Sequence, residues 1–339
     1  MAPVTVEERV DALAPLRLTP RQTRFVATVA LHGGYCVRRQ YQTFAGVSHG
    51  NAVQAFLEGL VTRGLATRFR YRADRGHLYH VRASSIYRAL GQDDNRNRRA
   101  ASPALIARKL MLLDYVLSEP SVDWLATEQD KIALFRERFA VPLGDLPQRV
   151  YTAAADRRGG STTRYFVEKQ PLGLAADGDT VRFVHLVTDR QGRAFTQFLQ
   201  DYRRLFQRLP AWTVVAVCPQ YLDGLAACQA AFQQFVAGQT SLAPGELADV
   251  RWYFEARQRV DNNAVGQLSM ADITRFREMR ARFGARGIEE VYTRWLTQGE
   301  AALTDSALDA SPALAGCGQL VTARLPYRYD QFGSLAGVC

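Results

Sequence analysis

Between Thr19 and Val81 the spacing of apolar residues changes from a helical period to an alternating one, and few folds accommodate that order in so short a span. Thr19 and Pro20 suit the start of a helix. Phe25, Val26, Val29 and Ala30 share one face of it, and Gly33 and Gly34 stop it. "CVRRQYQTFAG" predicts a second, short helix. "AGVSHG" predicts a turn, with Ser48 capping a third helix. In "NAVQAFLEGLVTRG" the residues Val53, Phe56, Leu57, Leu60 and Val61 fall on one side, and His49, Asn51, Gln54, Glu58 and Arg63 on the other. Then Leu65, Thr67, Phe69 and Tyr71 alternate with Ala66, Arg68, Arg70 and Arg72, "RADRG" turns the chain, and "HLYHV" alternates again.

Helix, helix, turn, helix, hairpin is the order of a winged helix-turn-helix, whose third helix enters the major groove while the hairpin contacts the flanking backbone. Charge agrees. Residues 1–110 hold 18 Lys and Arg against 7 Asp and Glu, whereas the rest holds 25 against 26, so the first third carries the whole excess of a chain with net charge +10. A basic segment on a neutral body suggests a polyanion-binding module. Arg38, Arg39, Arg68, Arg70, Arg72 and Arg75 are the expected phosphate contacts, and His49, Asn51 and Gln54, at the start of the third helix, the expected base readers. The arginine preference itself (40 Arg to 3 Lys) reflects genome composition and carries no weight.

From "LTPRQ" to "GLATRFRYRADRGHLYHV" the chain resembles the winged-helix N-termini of transcriptional regulators and of replication-relaxation-type proteins from bacterial mobile elements. The resemblance covers about 70 residues. It implies duplex DNA binding, as a regulator and most simply a repressor of a bacterial or mobile-element operon. The acids of "MAPVTVEERVDALAP", where a signal peptide needs a basic start and an apolar stretch, separately lead to the expectation of a cytoplasmic protein.

Beyond it, "GQDDNRNRRAASP" (Gly91–Pro103) reads as a polar linker. The helix "SPALIARKLMLLDYVLSEP" carries a wide apolar stripe in which Leu105, Leu110, Leu113 and Leu117 are a candidate homodimer seam, core packing being the equal alternative. The expected division is 1–90 for the basic module, 91–150 for linker and helical connector, 151–303 for an α/β body that dimerises or senses, and 304–339 for a tail, giving an α+β protein overall. In the body, "TRYFVEKQPLGLA", "DTVRFVHLVTDRQG", "AWTVVAVCP" and "DVRWYFEARQRV" read as strands, the remaining periodic stretches as helices.

From Thr163 to Gly238 the order strand, strand, acidic turn, helix, strand, helix resembles a restriction-endonuclease-like core. An active core of that kind implies an acid ending one strand and an acid-x-Lys in the next, holding a divalent metal. Asp189 is present, but Glu168 and Lys169 are adjacent and so alternate to opposite faces, and Asp177 and Asp179 sit in a turn. The expectation is a non-catalytic scaffold; the alternative is a DNA-processing enzyme or mobilisation factor with an unusual metal site.

No phosphate-loop, dinucleotide-binding or nucleophile-elbow motif is present. "RRGGSTTR" (Arg157–Arg164) lacks the following helix of a phosphate loop and reads as a flexible loop. The five cysteines, Cys36, Cys218, Cys228, Cys317 and Cys339, form no CxxC, and the five histidines show no ligand spacing, so neither disulfide framework, metal nor cofactor is expected. No apolar run approaches the roughly 20 residues of a membrane span.

Overall fold

The computed structural model describes residues 6–47, 50–70, 76–152, 161–167, 170–237, 246–262, 266, 268–283, 288–303 and 318–329. The protein is α+β and divides into two compact units: residues 1–188, 210–223 and 320–339 form the first, and 189–209 with 224–319 the second.

The first unit opens with α1 (Val6–Ala12), α2 (Pro20–His32), β1 (Tyr35–Val37), α3 (Arg38–Ala45), α4 (Asn51–Thr62), β2 (Ala66–Arg70) and β3 (His77–Val81), followed by α5 (Ser84–Ala89). Thr19 caps α2 through a capping box with Gln22, and Pro20 takes the first turn. Gly34 has φ +79, and a Cβ there would lie 2.5 Å from the Asn97 carbonyl oxygen, so only glycine fits. α4 starts at Asn51 after Gly50 with no side-chain cap; Ser48, the expected cap, lies outside the described residues.

β1, β3 and β2 form an antiparallel sheet in that order, with Tyr35 opposite His80 and Arg68 opposite Tyr79. β3 is the middle strand, and its alternation serves two cores. Tyr79 and Val81 join Phe25, Val53, Phe56, Leu57 and Leu60 under α2 and α4. Leu78, with Tyr35 and Val37 of β1, points into a second core. Three rings order the first core: Tyr41 meets Phe25 edge-on at 4.9 Å and Phe56 at 4.4 Å.

The second core is built around α6 (Pro103–Ser118). Ser102 caps it and Pro103 takes its first turn. Ile106, Leu110 and Met111 pack with Tyr35, Val37 and Leu78 and also with Val184, Leu186, Val215 and Val217 of a larger sheet. That sheet comprises β4 (Asp123–Leu125), β7 (Leu172–Leu174), β8 (Val181–Leu186), β9 (Trp212–Pro219) and β10 (Gly318–Leu325), in the order β10-β9-β8-β7-β4. β4, β7 and β8 are antiparallel neighbours; β8 and β9 run parallel, Val181 opposite Trp212 through Leu186 opposite Val217. The parallel pair requires a crossover, and the chain between them carries α8 (Arg193–Asp201) and α9 (Arg203–Phe206). Between β4 and β7 lie α7 (Glu128–Ala133) and a separate antiparallel pair, β5 (Gln148–Thr152) with β6 (Ser161–Tyr165).

The second unit contains α8 and α9, then α10 (Leu225–Val236), α11 (Glu246–Asp261), α12 (Met270–Phe283) and α13 (Ile288–Gln298). Phe198, Tyr202, Phe206 and Phe235 form a chain of ring contacts between 4.4 and 6.1 Å. Val250, Tyr253 and Phe254 of α11 pack on Phe283, Ile288, Val291 and Tyr292. Among the described residues no helix is long and apolar enough to cross a membrane.

Four expectations are corrected. "DVRWYFEARQRV" is helical, because Val250, Tyr253 and Phe254 follow a three-four spacing rather than alternation. The tail contributes an edge strand, β10. The stretch Gly91–Pro103 is no free linker: Asn97 is buried, its amide donates to the Ala30 and Leu31 carbonyls at 3.0 and 3.1 Å, its Oδ1 accepts from Lys109 at 3.0 Å, and its carbonyl accepts from His80 at 2.8 Å. Nor is the α6 stripe a dimer seam. Leu110 and Leu113 are fully buried within the chain, Leu117 packs on the first core, and Leu105 alone is exposed. Leu113→Ala is therefore expected to cost folding stability, about 2–5 kcal/mol in a urea titration, with no change in oligomeric state by light scattering.

His80 stacks on Tyr35 at 4.0 Å. Burial pulls its pKa from 6.5 down to about 4, opposed by the hydrogen bond to Asn97. The unfolded chain then takes up a proton that the folded one refuses. Stability is fully present above about pH 6.5 and falls as pH drops toward about 4. His32, pulled by burial to about 3, acts in the same direction. His80→Phe, which keeps the stacking, should flatten part of that loss in denaturation curves recorded from about pH 7 to about pH 4.

Candidate nucleic-acid interface

The turn after α3 is made by Gly46, in the left-handed region at φ +67, whose N–H closes on the end of α3. The turn sets α4 after α3, and β2 follows α4 directly. On the outer side of α4, Asn51, Ala52 and Ala55 are exposed. Gln54 is half-buried, and its amide donates to Glu58 Oε1 at 2.8 Å. His49, Arg72 and Arg75 lie outside the described residues.

Glu58 gathers donors from three elements. Besides Gln54, Arg68 of β2 donates to it at 2.8 Å and the Tyr79 hydroxyl of β3 at 2.9 Å. Burial pulls the Glu58 carboxyl up, but the Arg68 and Tyr79 hydrogen bonds outweigh it, and its pKa lies below the ordinary value. Burial, reinforced by Glu58, pushes Tyr79 up to about 12. Two residues expected to meet nucleic acid are thus engaged by one carboxylate, which helical periodicity places on the solvent side without suggesting a role. The spacing of Gln54 and Glu58, one helical turn apart, is the available signal.

Arg39 is likewise committed, and its assignment as a phosphate contact is corrected. Its guanidinium makes a two-pronged pair with buried Asp114 of α6, at 2.5 and 2.7 Å, and lies 3.6 Å over the Tyr327 ring. Tyr329 donates to the same carboxylate at 2.5 Å. Burial would lower the Arg39 pKa, but Asp114 more than offsets it. Next to it, Gln40 is buried and donates to the Leu110 carbonyl at 2.9 Å. Of the expected contacts, Arg38, Arg68 and Arg70 are exposed, and among the described residues no acidic side chain pairs with Arg38 or Arg70. Arg82, just after β3, is exposed too and was not singled out.

The acids considered for a metal site have other work. Asp189 caps α8, accepting from the backbone N–H groups of Arg193 and Ala194 at 3.0 and 3.1 Å, and these bonds overcome burial to lower its pKa. Asp177 closes a turn on the N–H groups of Asp179 and Thr180 and on the Thr180 hydroxyl. Glu168 and Lys169 lie outside the described residues. Among the described residues no three His, Cys, Asp or Glu side chains converge as a metal would need. "RRGGSTTR" is part strand rather than loop: Ser161–Arg164 belong to β6.

Comparison with protein-family models, curated proteins and solved structures finds no match.

Removing Arg39 leaves the buried Asp114 carboxylate with Tyr329 alone. Arg39→Ala should cost about 3 kcal/mol of stability, the lower end for breaking a buried pair. Chemical denaturation measures it. A variant as stable as the parent would show the pair to be dispensable.

Proposed function

We propose that the protein is a duplex-DNA-binding regulator that docks through residues 20–81 as a winged helix. The observation that carries the reading is the order helix, strand, helix, helix, hairpin closed by a sheet ordered β1-β3-β2, borne by the one segment that holds the chain's excess positive charge. In this reading α4 lies in the major groove with Asn51 at its leading end, where an asparagine side chain pairs with adenine. Arg38 at the start of α3 and Arg70 at the end of β2 take phosphates, which set affinity and register without reading sequence. The expected target is an operator, with repression as the simplest outcome of occupancy.

The test uses the whole chain. A fragment ending near residue 100 would strip α6 from Tyr35, Val37 and Leu78 and expose their core. Fluorescence anisotropy across a salt series should give linear log K against log salt. Arg38→Gln and Arg70→Gln should each flatten the slope by about 0.9. Glu58→Gln should do the reverse, since it releases the Arg68 charge: affinity should rise on all sequences, and the slope should steepen by up to about 0.9. Binding of the parent chain that is indifferent to salt would sink the reading.

A further inference from the structure

The β5–β6 ribbon carries a feature that neither the fold nor the winged-helix reading uses. Gln148, Arg149, Val150 and Tyr151 of β5 are all exposed, and so are Ser161, Thr162, Thr163 and Arg164 of β6, so neither face of the pair is covered. An isolated two-stranded ribbon is marginal in water. Its register sets Arg149 directly opposite Arg164 and Tyr151 directly opposite Thr162. Directly opposed residues share a face with their Cβ atoms about 5 Å apart, and like charges so placed repel. Among the described residues the ribbon carries these two charges and no acid. Glu128 reaches Arg164 at 3.7 Å, but that side chain stays 62% exposed, and Arg149 has no such neighbour among the described residues.

The base, in contrast, is firmly rooted. Leu146 and Phe166 flank the ribbon and are buried. Phe166 holds φ +50, a costly value for a large side chain. Its ring stacks on Phe135 at 5.6 Å, and its N–H donates to the Pro147 carbonyl at 2.9 Å. Glu128 also accepts from the Tyr165 N–H at 2.9 Å. A rigid root under a bare ribbon whose one face sets two arginines side by side fits a polyanion, because phosphates turn the repulsion into attraction. The major groove, about 12 Å wide, admits a two-stranded ribbon.

We propose that β5–β6 is a second arm for duplex DNA, with Arg149 and Arg164 each taking a backbone phosphate and the Tyr151 and Thr162 hydroxyls beside them. This rests on the reading of the chain as a duplex binder. In the full chain, Arg149→Gln/Arg164→Gln should flatten the salt slope by about 1.8, equally on every sequence, whereas the double lysine variant should keep the slope of the parent. The thermal midpoint of the double glutamine variant should equal or exceed that of the parent, since a repulsion has been removed. A structural role for the arginines would lower it. An unchanged slope, with the parent binding in a salt-dependent way and Arg70→Gln flattening its slope, overturns the arm and leaves the winged-helix reading standing. A slope change with single-stranded RNA but not with duplex DNA also overturns it. A parent chain without salt-dependent duplex binding overturns both.

Discussion

Asp114 is a carboxylate inside the protein, and a buried charge is tolerated only when paired and hydrogen-bonded. Its partners come from distant parts of the chain: Arg39 from α3 and Tyr329 from beyond the last strand. One side chain thus joins the N-terminal module, the central helix and the C-terminal segment. Around it α6 is apolar toward two sheets at once, through Leu110 and Met111, and Gln40 adds a bond to its backbone. The N-terminal module is thereby part of the first compact unit rather than a bead on a string.

This has consequences for the charge that the sequence concentrates in its first third. Formal charge overstates what is available to a ligand. Arg39 is neutralised by Asp114, Arg68 by Glu58, and Arg9 by buried Asp130, to which it donates at 2.7 and 2.8 Å. Arg21 and Arg63 donate to backbone carbonyls of Ala45 and Leu16. The charges left facing outward, Arg38 and Arg70 among them, are a thinner and more selective set. This also makes Glu58 a control point, because its carboxylate fixes Gln54 and Arg68 at the edge of the proposed docking helix.

Local features were legible in the sequence. The Thr19 cap of α2, the apolar face of α4 and the alternation of β2 each depend on residues a few positions apart, and each is where the local pattern put it. Pairings across the chain were not. Nothing near Arg39 announces that its partner lies 75 residues on, or near Asp114 that Tyr329 closes the site from 215 residues away. The leucines of α6 looked alike because a stripe facing a neighbouring sheet and a stripe facing a second copy obey the same period; burial alone separates them. α11 was misread because aromatic and β-branched residues raise strand propensity, while tertiary packing on Tyr292 and Phe283 decides.

The segment Gly91–Pro103 shows how far composition can mislead about motion. It has the acids, arginines and asparagines of a solvated linker, yet Asn97 makes it a fastening. Its amide group and carbonyl tie together α2, His80 and Lys109, while Lys109 also donates to the Gly33 carbonyl. Swinging the module about this segment would break these bonds together and leave buried donors and acceptors unpaired, at a cost of the order of 1–3 kcal/mol for each. The Asp114 pairing would have to open as well. Any rearrangement that alters how α4 is presented must therefore involve α6, which packs against the module's sheet and the larger sheet at once, while the Arg9–Asp130 pair makes a second tie between α1 and α7.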